Sequence, residues 1–177
     1  MSTPPVLLVC MGVSGSGKST VARILARRFE LEFCEADDFH GPENRARMAA
    51  GQPLSEALRE PWIGRLSAAL AAKRSDGHSC VLAWSALRRT HRQRIRALGF
   101  RTLFLHLWAN PDVIARRLDA RPGHFFHPGL LQSQYEDLQP TSGEEDVLRF
   151  DAGAELPEVT AAVVEAARTF LQREPTP

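Results

Sequence analysis

A phosphate-binding loop near the amino terminus constrains this chain more than any other feature. Residues 12–19 read Gly-Val-Ser-Gly-Ser-Gly-Lys-Ser, a full G-x-x-x-x-G-K-[ST] motif. The glycines let the backbone curl so that its N–H groups surround a phosphate chain, Lys18 reaches the outer phosphates, and the Ser19 hydroxyl can bind Mg²⁺. An apolar run of strand length precedes the loop, and apolar residues at helical spacing follow it. This context predicts a nucleoside triphosphate site rather than a Gly/Ser-rich surface turn.

Nucleotide contacts are expected along the whole loop and into the helix that follows it. The positive end of that helix's dipole adds to the attraction for phosphate. The residues predicted to bind the nucleotide in this part of the chain are Gly12, Val13, Ser14, Gly15, Ser16, Gly17, Lys18, Ser19 and Thr20.

Length and composition fit one domain over residues 1–177, with 44% hydrophobic residues to form its core. No apolar stretch approaches membrane-spanning length and no signal peptide is recognisable, so we expect a cytoplasmic protein with no membrane partner. Cys10, Cys34 and Cys80 lie in or next to predicted buried strands, and their odd number favours reduced thiols. The net charge of +1 gives no global reason to expect nucleic-acid binding.

Alternating strand-like and helix-like segments predict an α/β fold. The alternation indicates a three-layer α/β/α arrangement of the P-loop nucleoside-triphosphate hydrolase type, with a five-stranded parallel sheet and ligands at the carboxyl ends of its strands. Segments 38–60 and 121–146 are rich in Pro, Gly and charge, and we expect them to be a substrate-binding insertion and a mobile lid. The predicted strands are 6–11, 31–34, 79–84, 102–107 and 147–151.

A cluster of acids after the second predicted strand suits a kinase for a small alcohol. The chain lacks the Asn-Lys pair with which GTPases read guanine, and its third strand ends without an acid for Mg²⁺. Glu35, Asp37 and Asp38 instead follow the second strand, facing the phosphate loop across the cleft. A metal needs carboxylate help, directly or through water, and an acceptor hydroxyl needs a carboxylate that takes its proton. An exposed acidic turn is the alternative.

Two groups of arginines offer positive charge. Arg88, Arg92 and Arg96 align at i, i+4 and i+8, which fits a solvated helix face, a group near bound phosphate or a carboxylate substrate, or, third, an RNA-binding surface. Arg117 and Arg121 stand at i and i+4 at a predicted helix end, before a Pro-Gly break. Such a segment can hinge over the triphosphate and stabilise the transferring phosphoryl group, although helix-end arginines are also common as surface charges.

Together these residues resemble the gluconokinases, small phosphate-loop kinases related in fold to shikimate kinase and adenylate kinase. The similarity runs over about residues 6–151, and the phosphate loop alone is far less specific than the ordered set of strings. That set comprises residues 11–19, Asp37 to His40, Asn44, Met48, 51–54, 59–62, Ser85 to Arg88, Arg92, the Arg117-to-Arg121 helix end with 123–125, 131–134 and 144–147.

The resemblance implies an activity and a set of roles. ATP and D-gluconate would give ADP and 6-phospho-D-gluconate, with Mg²⁺, in a homodimer. Lys18, Asp37 and Arg121 are the implied catalytic residues: Asp37 deprotonates the acceptor hydroxyl and serves the metal with Ser19, and Arg121 acts from the lid. Arg117 would flank the adenine. The residues implied around the substrate are Asp37, His40, Arg59, Arg88, Arg92 and His124, with Arg59 and Arg92 the stronger candidates for a carboxylate.

Four positions depart from the family's pattern. Leu58 replaces an acid, Trp84 a small cysteine, Arg88 a lysine and Ala36 a glycine. None of these positions handles phosphate, so the changes bear on which acid is accepted more than on the reaction type. The alternatives are a kinase for another small hydroxy acid, sugar acid or nucleoside monophosphate, and a nucleotide-binding regulatory module without catalysis.

Overall fold

Five parallel strands form the centre of the fold, in the order β2-β3-β1-β4-β5. The computed structural model describes residues 4–120 and 128–173. The predicted parallel sheet is confirmed, with each strand within two residues of its predicted bounds. The strands are β1 (Val6–Met11), β2 (Glu32–Glu35), β3 (Cys80–Ala83), β4 (Arg101–Trp108) and β5 (Val147–Asp151).

Helices follow the strands and cover both faces of the sheet. A 3-10 turn, Ala36–Phe39, comes directly after β2. Helix α5 begins where a cap is expected, because the Asn110 side chain accepts a hydrogen bond of 3.0 Å from the Asp112 N–H and Pro111 holds the first helical position. The helices are α1 (Lys18–Phe29), α2 (Pro42–Ala49), α3 (Glu56–Ser75), α4 (Arg89–Arg96), α5 (Pro111–Asp119), α6 (Pro128–Asp137) and α7 (Leu156–Gln172).

Alternation along β1 divides the core between the two faces of the sheet. Leu8 and Cys10 pack on one side with residues of α1, α5 and α7, whereas Leu7 and Val9 pack on the other with residues of α3 and α4. All of these β1 side chains are fully buried, as expected for a parallel strand covered on both sides. The three cysteines are buried and unbonded to one another. No helix within the described ranges is long and apolar enough to cross a membrane.

The two segments that interrupt the alternation carry helices of their own. Segment 38–60 contains α2 and the first residues of α3. In segment 121–146, residues 121–127 lie outside the described residues, and the rest forms α6 and a stretch that reaches β5. The mobility of this lid segment stays a prediction. The phosphate loop, the 36–39 turn and the residues after β3 all follow the carboxyl ends of neighbouring strands, which places the site there.

Candidate active site

The loop between β1 and α1 forms a cradle suited to phosphate. Gly12 has φ +142°, and a Cβ there would lie 2.4 Å from the carbonyl oxygen of Leu107, so the close approach of β4 requires a glycine. Lys18 Nζ folds back and donates to the carbonyl oxygen of Val13 at 2.8 Å. The buried Ser16 hydroxyl has no hydrogen-bond partner in the described part of the chain. A folded-back ammonium group and an unpaired hydroxyl are groups that a phosphate chain would engage.

Charges of both signs meet at the mouth of this loop. Burial lowers the pKa of Lys18, and the nearby carboxylates of Asp37 and Glu35 oppose that shift. Burial raises the pKa of Glu35, and a hydrogen bond with the Ser19 side chain opposes it. Ser19, Glu35 and Asp37 offer the hard oxygen ligands that Mg²⁺ takes alongside phosphate oxygens, so the donor set fits this ion. Over residues 4–120 and 128–173, no cluster of three His, Cys, Asp or Glu side chains could hold a metal.

The 36–39 turn is held from behind by side chains of α2 and α3. Trp62 Nε1 donates to the carbonyl oxygen of Ala36 at 2.7 Å, and Arg65 Nε donates to that of Phe39 at 2.9 Å. Arg45 Nη2 donates to the carbonyl oxygen of Asp38 at 3.0 Å. These bonds use backbone acceptors only, so the Asp37 carboxylate stays free; its side chain is 78% exposed and lines the cavity.

His40 lies beside Asp37 with a defined tautomer. Its ring stacks on Trp62 with centroids 3.9 Å apart. The Asn44 amide nitrogen donates to the carbonyl oxygen of Leu58 at 2.9 Å and faces His40 Nδ1 at 3.4 Å, so Nδ1 accepts and Nε2 carries the hydrogen. His40 Nε2 lies 3.8 Å from Asp37 Oδ1. Burial lowers the pKa of His40 against the opposing effect of Asp37, which favours the neutral ring.

Arg59 and Arg88 form a further part of the cavity lining, which we call the arginine wall. Arg88 Nη2 donates to Asp137 Oδ1 at 2.6 Å, and Arg59 Nη2 donates to the other oxygen of the same carboxylate. His91 Nε2 contacts Glu56 Oε1 at 2.5 Å beside them. Two guanidinium groups therefore lie side by side at the cavity edge, where an anionic acceptor group could meet their remaining N–H groups.

Arg92 is placed differently from its prediction as a substrate ligand. Its side chain is fully buried away from the cavity, where Nη1 donates to the carbonyl oxygens of Ala86 and Leu87, at 2.9 Å each, and Nε donates to Glu144 Oε2 at 3.0 Å. Arg96 donates to Glu144 at 2.6 Å and to Asp146 at 2.7 Å. The aligned arginines are thus neither a solvated face nor one binding group.

Helix α6 reaches the phosphate loop through Gln134. The Ser14 N–H donates to Gln134 Oε1 at 2.6 Å, and Gln134 Nε2 donates to the Ser14 hydroxyl at 3.1 Å. A cavity of about 520 Å³ lies between the phosphate loop, the 36–39 turn and the arginine wall. The predicted residues that it brings together are Ser14, Lys18, Asp37, His40, Arg59 and Arg88.

The other predicted residues within 4–120 and 128–173 do not line this cavity. Arg117 donates to the carbonyl oxygens of Ala152, Gly153 and Ala154 after β5, at 3.4 Å for Gly153 and 3.2 Å for Ala154. Thr20 is exposed on α1. The predicted roles of Arg121 and His124 fall on positions outside the described residues.

Two site residues were not predicted to act in the site. Gln134 belongs to a string that carries the resemblance but was given no role, and Asp137 was not named. Both act from α6 on residues far away in the sequence, which no local pattern indicates. Glu35 was already among the acids expected after the second strand.

Sequence and structure comparisons agree on the class of protein. The sequence profile of the AAA domain matches residues 7–136. A probable gluconokinase of Mus musculus is 43% identical, over 94% of this chain and 99% of that protein. A gluconokinase of Gluconobacter oxydans is 40% identical, over 90% of this chain and 89% of its own length.

Solved structures of kinases share the fold of this chain. A sugar kinase from Janibacter superposes with a TM-score of 0.84 at 40% identity, covering 95% of both chains. A gluconokinase from Sinorhizobium meliloti superposes with a TM-score of 0.78 at 33% identity, covering 97% of this chain and 100% of that one. A shikimate kinase from Bacteroides thetaiotaomicron, 18% identical with a TM-score of 0.64 over 95% of this chain and 99% of its own, shares the fold.

Proposed function

This chain belongs to the gluconokinase family, and we propose that it transfers the γ-phosphoryl group of ATP to a hydroxyl of D-gluconate, giving 6-phospho-D-gluconate. The observation that carries the proposal is the free carboxylate of Asp37, held by its turn within the cavity that Lys18 and the arginine wall also line. Family membership supplies the substrate, because the relatives that match over nearly their whole length are gluconokinases.

Each wall of the cavity has a part in the reaction. The loop amides and Lys18 hold the triphosphate, while Asp37 orients the acceptor hydroxyl and takes its proton as the phosphoryl group transfers in line. His40 Nε2 lies 3.8 Å from Asp37 Oδ1, beyond direct hydrogen-bond distance, and is proposed to contact the acceptor beside Asp37. Positioning and charge neutralisation supply most of the rate. Bound Mg²⁺ would neutralise charge on the phosphates, and Ser19, Asp37 and Glu35 would hold it directly or through water.

Arg59 and Arg88 are proposed to receive the carboxylate of the sugar acid, since both line the cavity and share Asp137 as a partner. We further propose that Arg121 acts on the triphosphate, that Arg117 flanks the adenine near residues 152–154 and that His124 reaches the substrate. Buried position and carbonyl contacts assign Arg92 a supporting role instead.

A cytoplasmic location and a homodimer complete the proposal. Three buried, unbonded cysteines suit a reducing compartment that also supplies ATP. The homodimer rests on the family resemblance, and light scattering coupled to size-exclusion chromatography would test it. A monomer at micromolar concentration would contradict it.

A coupled assay of ADP release tests the activity directly. The purified protein is expected to turn over D-gluconate with Mg·ATP, and to prefer it over other aldonates, shikimate and nucleoside monophosphates. Tight ATP binding without turnover of any acceptor would instead support a regulatory module.

The Asp37→Asn variant tests the proposed base. We expect kcat to fall by about 10³-fold or more, with ATP affinity within about threefold of wild type, because the amide cannot accept the proton. Lys18→Ala should abolish turnover. Asp76→Asn, an exposed change at the end of α3, serves as the control. A near-normal kcat in Asp37→Asn would remove this residue from the proton-transfer role.

A further inference from the structure

We propose that Asp137 is the positioning residue that joins Arg59 and Arg88 into one fork for a monoanionic carboxylate in the acceptor. The inference deepens the proposed function and rests on it for the substrate class. Asp137 lies at the end of α6, which no local feature of the sequence connects with either arginine.

One carboxylate bridges the two guanidinium groups. Asp137 Oδ1 accepts from Arg88 Nη2 at 2.6 Å, and Oδ2 accepts from Arg59 Nη2. The arginines line the cavity, whereas Asp137 is not among the lining residues in the described part of the chain. The side chain of Asp137 is 15% exposed, so it is largely covered while it pairs with both arginines. An acceptor carboxylate would meet the N–H groups of the arginines that Asp137 does not engage.

A second carboxylate closes the arrangement into a ring of alternating charge. Glu56 Oε2 lies 3.1 Å from Arg88 Nη1 and 3.8 Å from Arg59 Nη1. His91 Nε2, 2.5 Å from Glu56 Oε1, fixes the position of Glu56. Two like-charged guanidinium groups would repel each other without these carboxylates between them. These ion pairs thus hold the two long arginine side chains in one conformation.

The charge of the ring points to the kind of anion it accepts. Two arginines and two carboxylates cancel formally, so the wall attracts a ligand through directed N–H groups rather than through net charge. A sugar-acid carboxylate brings one negative charge and two acceptor oxygens, which matches two side-by-side guanidinium groups. A phosphate dianion would add two charges to a wall that is already balanced. Burial raises the pKa of Asp137, but the bonds from Arg59 and Arg88 outweigh it, so Asp137 stays ionised.

Steady-state kinetics of Asp137→Asn test the positioning role. The amide replaces one of the two acceptor oxygens by an NH₂ group, so it no longer offers a separate oxygen to each arginine. We therefore expect KM for gluconate to rise about tenfold, while kcat and KM for ATP change less than about threefold. Asp137→Glu restores a carboxylate and should return KM to within about threefold of wild type. The control is Glu136→Gln on the same helix, because Glu136 is exposed and, among the described residues, its side chain bonds to Gln132 alone. An unchanged or lower KM for gluconate in Asp137→Asn would overturn the proposal.

Chemical labelling separates this inference from the proposed function. Phenylglyoxal modifies free guanidinium groups, so Asp137→Asn should raise the labelling rate of Arg59 and Arg88 at least threefold. Labelling of the partly exposed Arg47, which pairs with Glu43 on α2, should not change. Unchanged labelling at both arginines would overturn the inference. A wild-type protein that fails to turn over gluconate, yet shows this labelling difference, would overturn the substrate and leave the role of Asp137 in place.

Discussion

Arg88 and Arg92 lie one helical turn apart at the start of α4, yet they belong to different parts of the molecule. Arg88 is about one-third exposed and faces the cavity, where Asp137 and Glu56 balance its charge. Arg92 is fully buried and paired with Glu144. Each of them pairs with a carboxylate from residues 137–144, which comprise the last residue of α6 and the stretch after it. Because of this difference in burial, Arg88 is accessible to a ligand, whereas Arg92 stabilises the fold.

Arg92 supports the residues that present Arg88. Its Nη1 group donates to the carbonyl oxygens of Ala86 and Leu87, directly before Arg88. Ala86 has φ +48°, a strained conformation for a residue other than glycine. The buried ion pair therefore stabilises a turn that Ala86 would not adopt unaided. A ligand-facing arginine and a structural arginine thus act on the same loop from its two sides.

Breaking the buried pair should have the largest effect on stability. Glu144→Gln leaves the Arg92 charge buried without its counter-charge, which we expect to lower the free energy of unfolding by about 3–5 kcal/mol. Chemical denaturation measures this loss. The kcat of the folded protein should stay within about threefold of the wild-type value, because Glu144 does not line the cavity.

The corresponding change in the arginine wall, Arg88→Gln, should affect substrate binding more than stability. Arg88→Gln is expected to cost less than about 1 kcal/mol in stability, because this arginine is partly exposed, and to raise KM for gluconate about tenfold or more. Equal stability losses in the two variants would contradict the division between a structural and a ligand-facing arginine.

A buried histidine on β4 predicts a loss of stability in acid. His106 is 4% exposed, and neither ring nitrogen has a partner among the described residues. Burial, with Arg149 and Arg92 nearby, lowers its pKa from 6.5 to about 4. The unfolded chain therefore binds this proton at a higher pH than the folded protein does. The neutral ring makes its full contribution to the free energy of unfolding above pH 6.5. This contribution is lost as the pH drops towards 4, by about 3 kcal/mol in total.

His106→Leu isolates this contribution. Denaturation curves from pH 7 to pH 4 should lose stability less steeply in the variant than in the wild type. The hydrogen bonds from Arg92 and Arg96 lower the pKa of Glu144 to about 2, so its stabilisation is lost below pH 4.5 and overlaps little with the His106 window. Parallel curves for the two proteins would show that His106 finds a partner on folding.

The smallest expected effect is a difference in stability between variants of two tryptophans that line the cavity, Trp62 and Trp84. Trp62 Nε1 donates to the carbonyl oxygen of Ala36, whereas the buried Trp84 Nε1 has no partner within the described ranges. Replacement by Phe removes similar volume from each site, so the difference between the two variants isolates one hydrogen bond. Trp62→Phe should cost about 1 kcal/mol more than Trp84→Phe in thermal or chemical denaturation. Only Trp62→Phe should also lower kcat, because it loosens the turn that carries Asp37.

The fold and the nucleotide half of the site were open to prediction because their signals are local. The phosphate loop is a contiguous string whose glycines and helix start act together, and it lies where the motif predicts. The strand bounds follow from apolar runs buried on both faces. The Asn110 cap likewise depends on neighbouring residues alone.

The acceptor half was predicted only in part. Asp37 was predicted from its place after β2 and His40 from the family resemblance, but the spacing of the arginines did not show which of them would reach the cavity. Arg88, Arg92 and Arg96 are equivalent on a helical projection, and only the packing of residues 137–146 against α4 distinguishes them. Arg88 pairs with Asp137, whereas Arg92 and Arg96 share Glu144. Asp137 and Gln134 were missed for the same reason.

The sequence by itself determined the layered α/β architecture, the phosphate cradle and the acid that faces it, since these depend on periodicity and on contiguous residues. Only the tertiary structure decided which arginines reach the cavity and which carboxylate holds them. The physical reason is that burial and ion pairing depend on distances between residues as far apart in the chain as Arg59 and Asp137. A pattern within one helix carries no information about those distances.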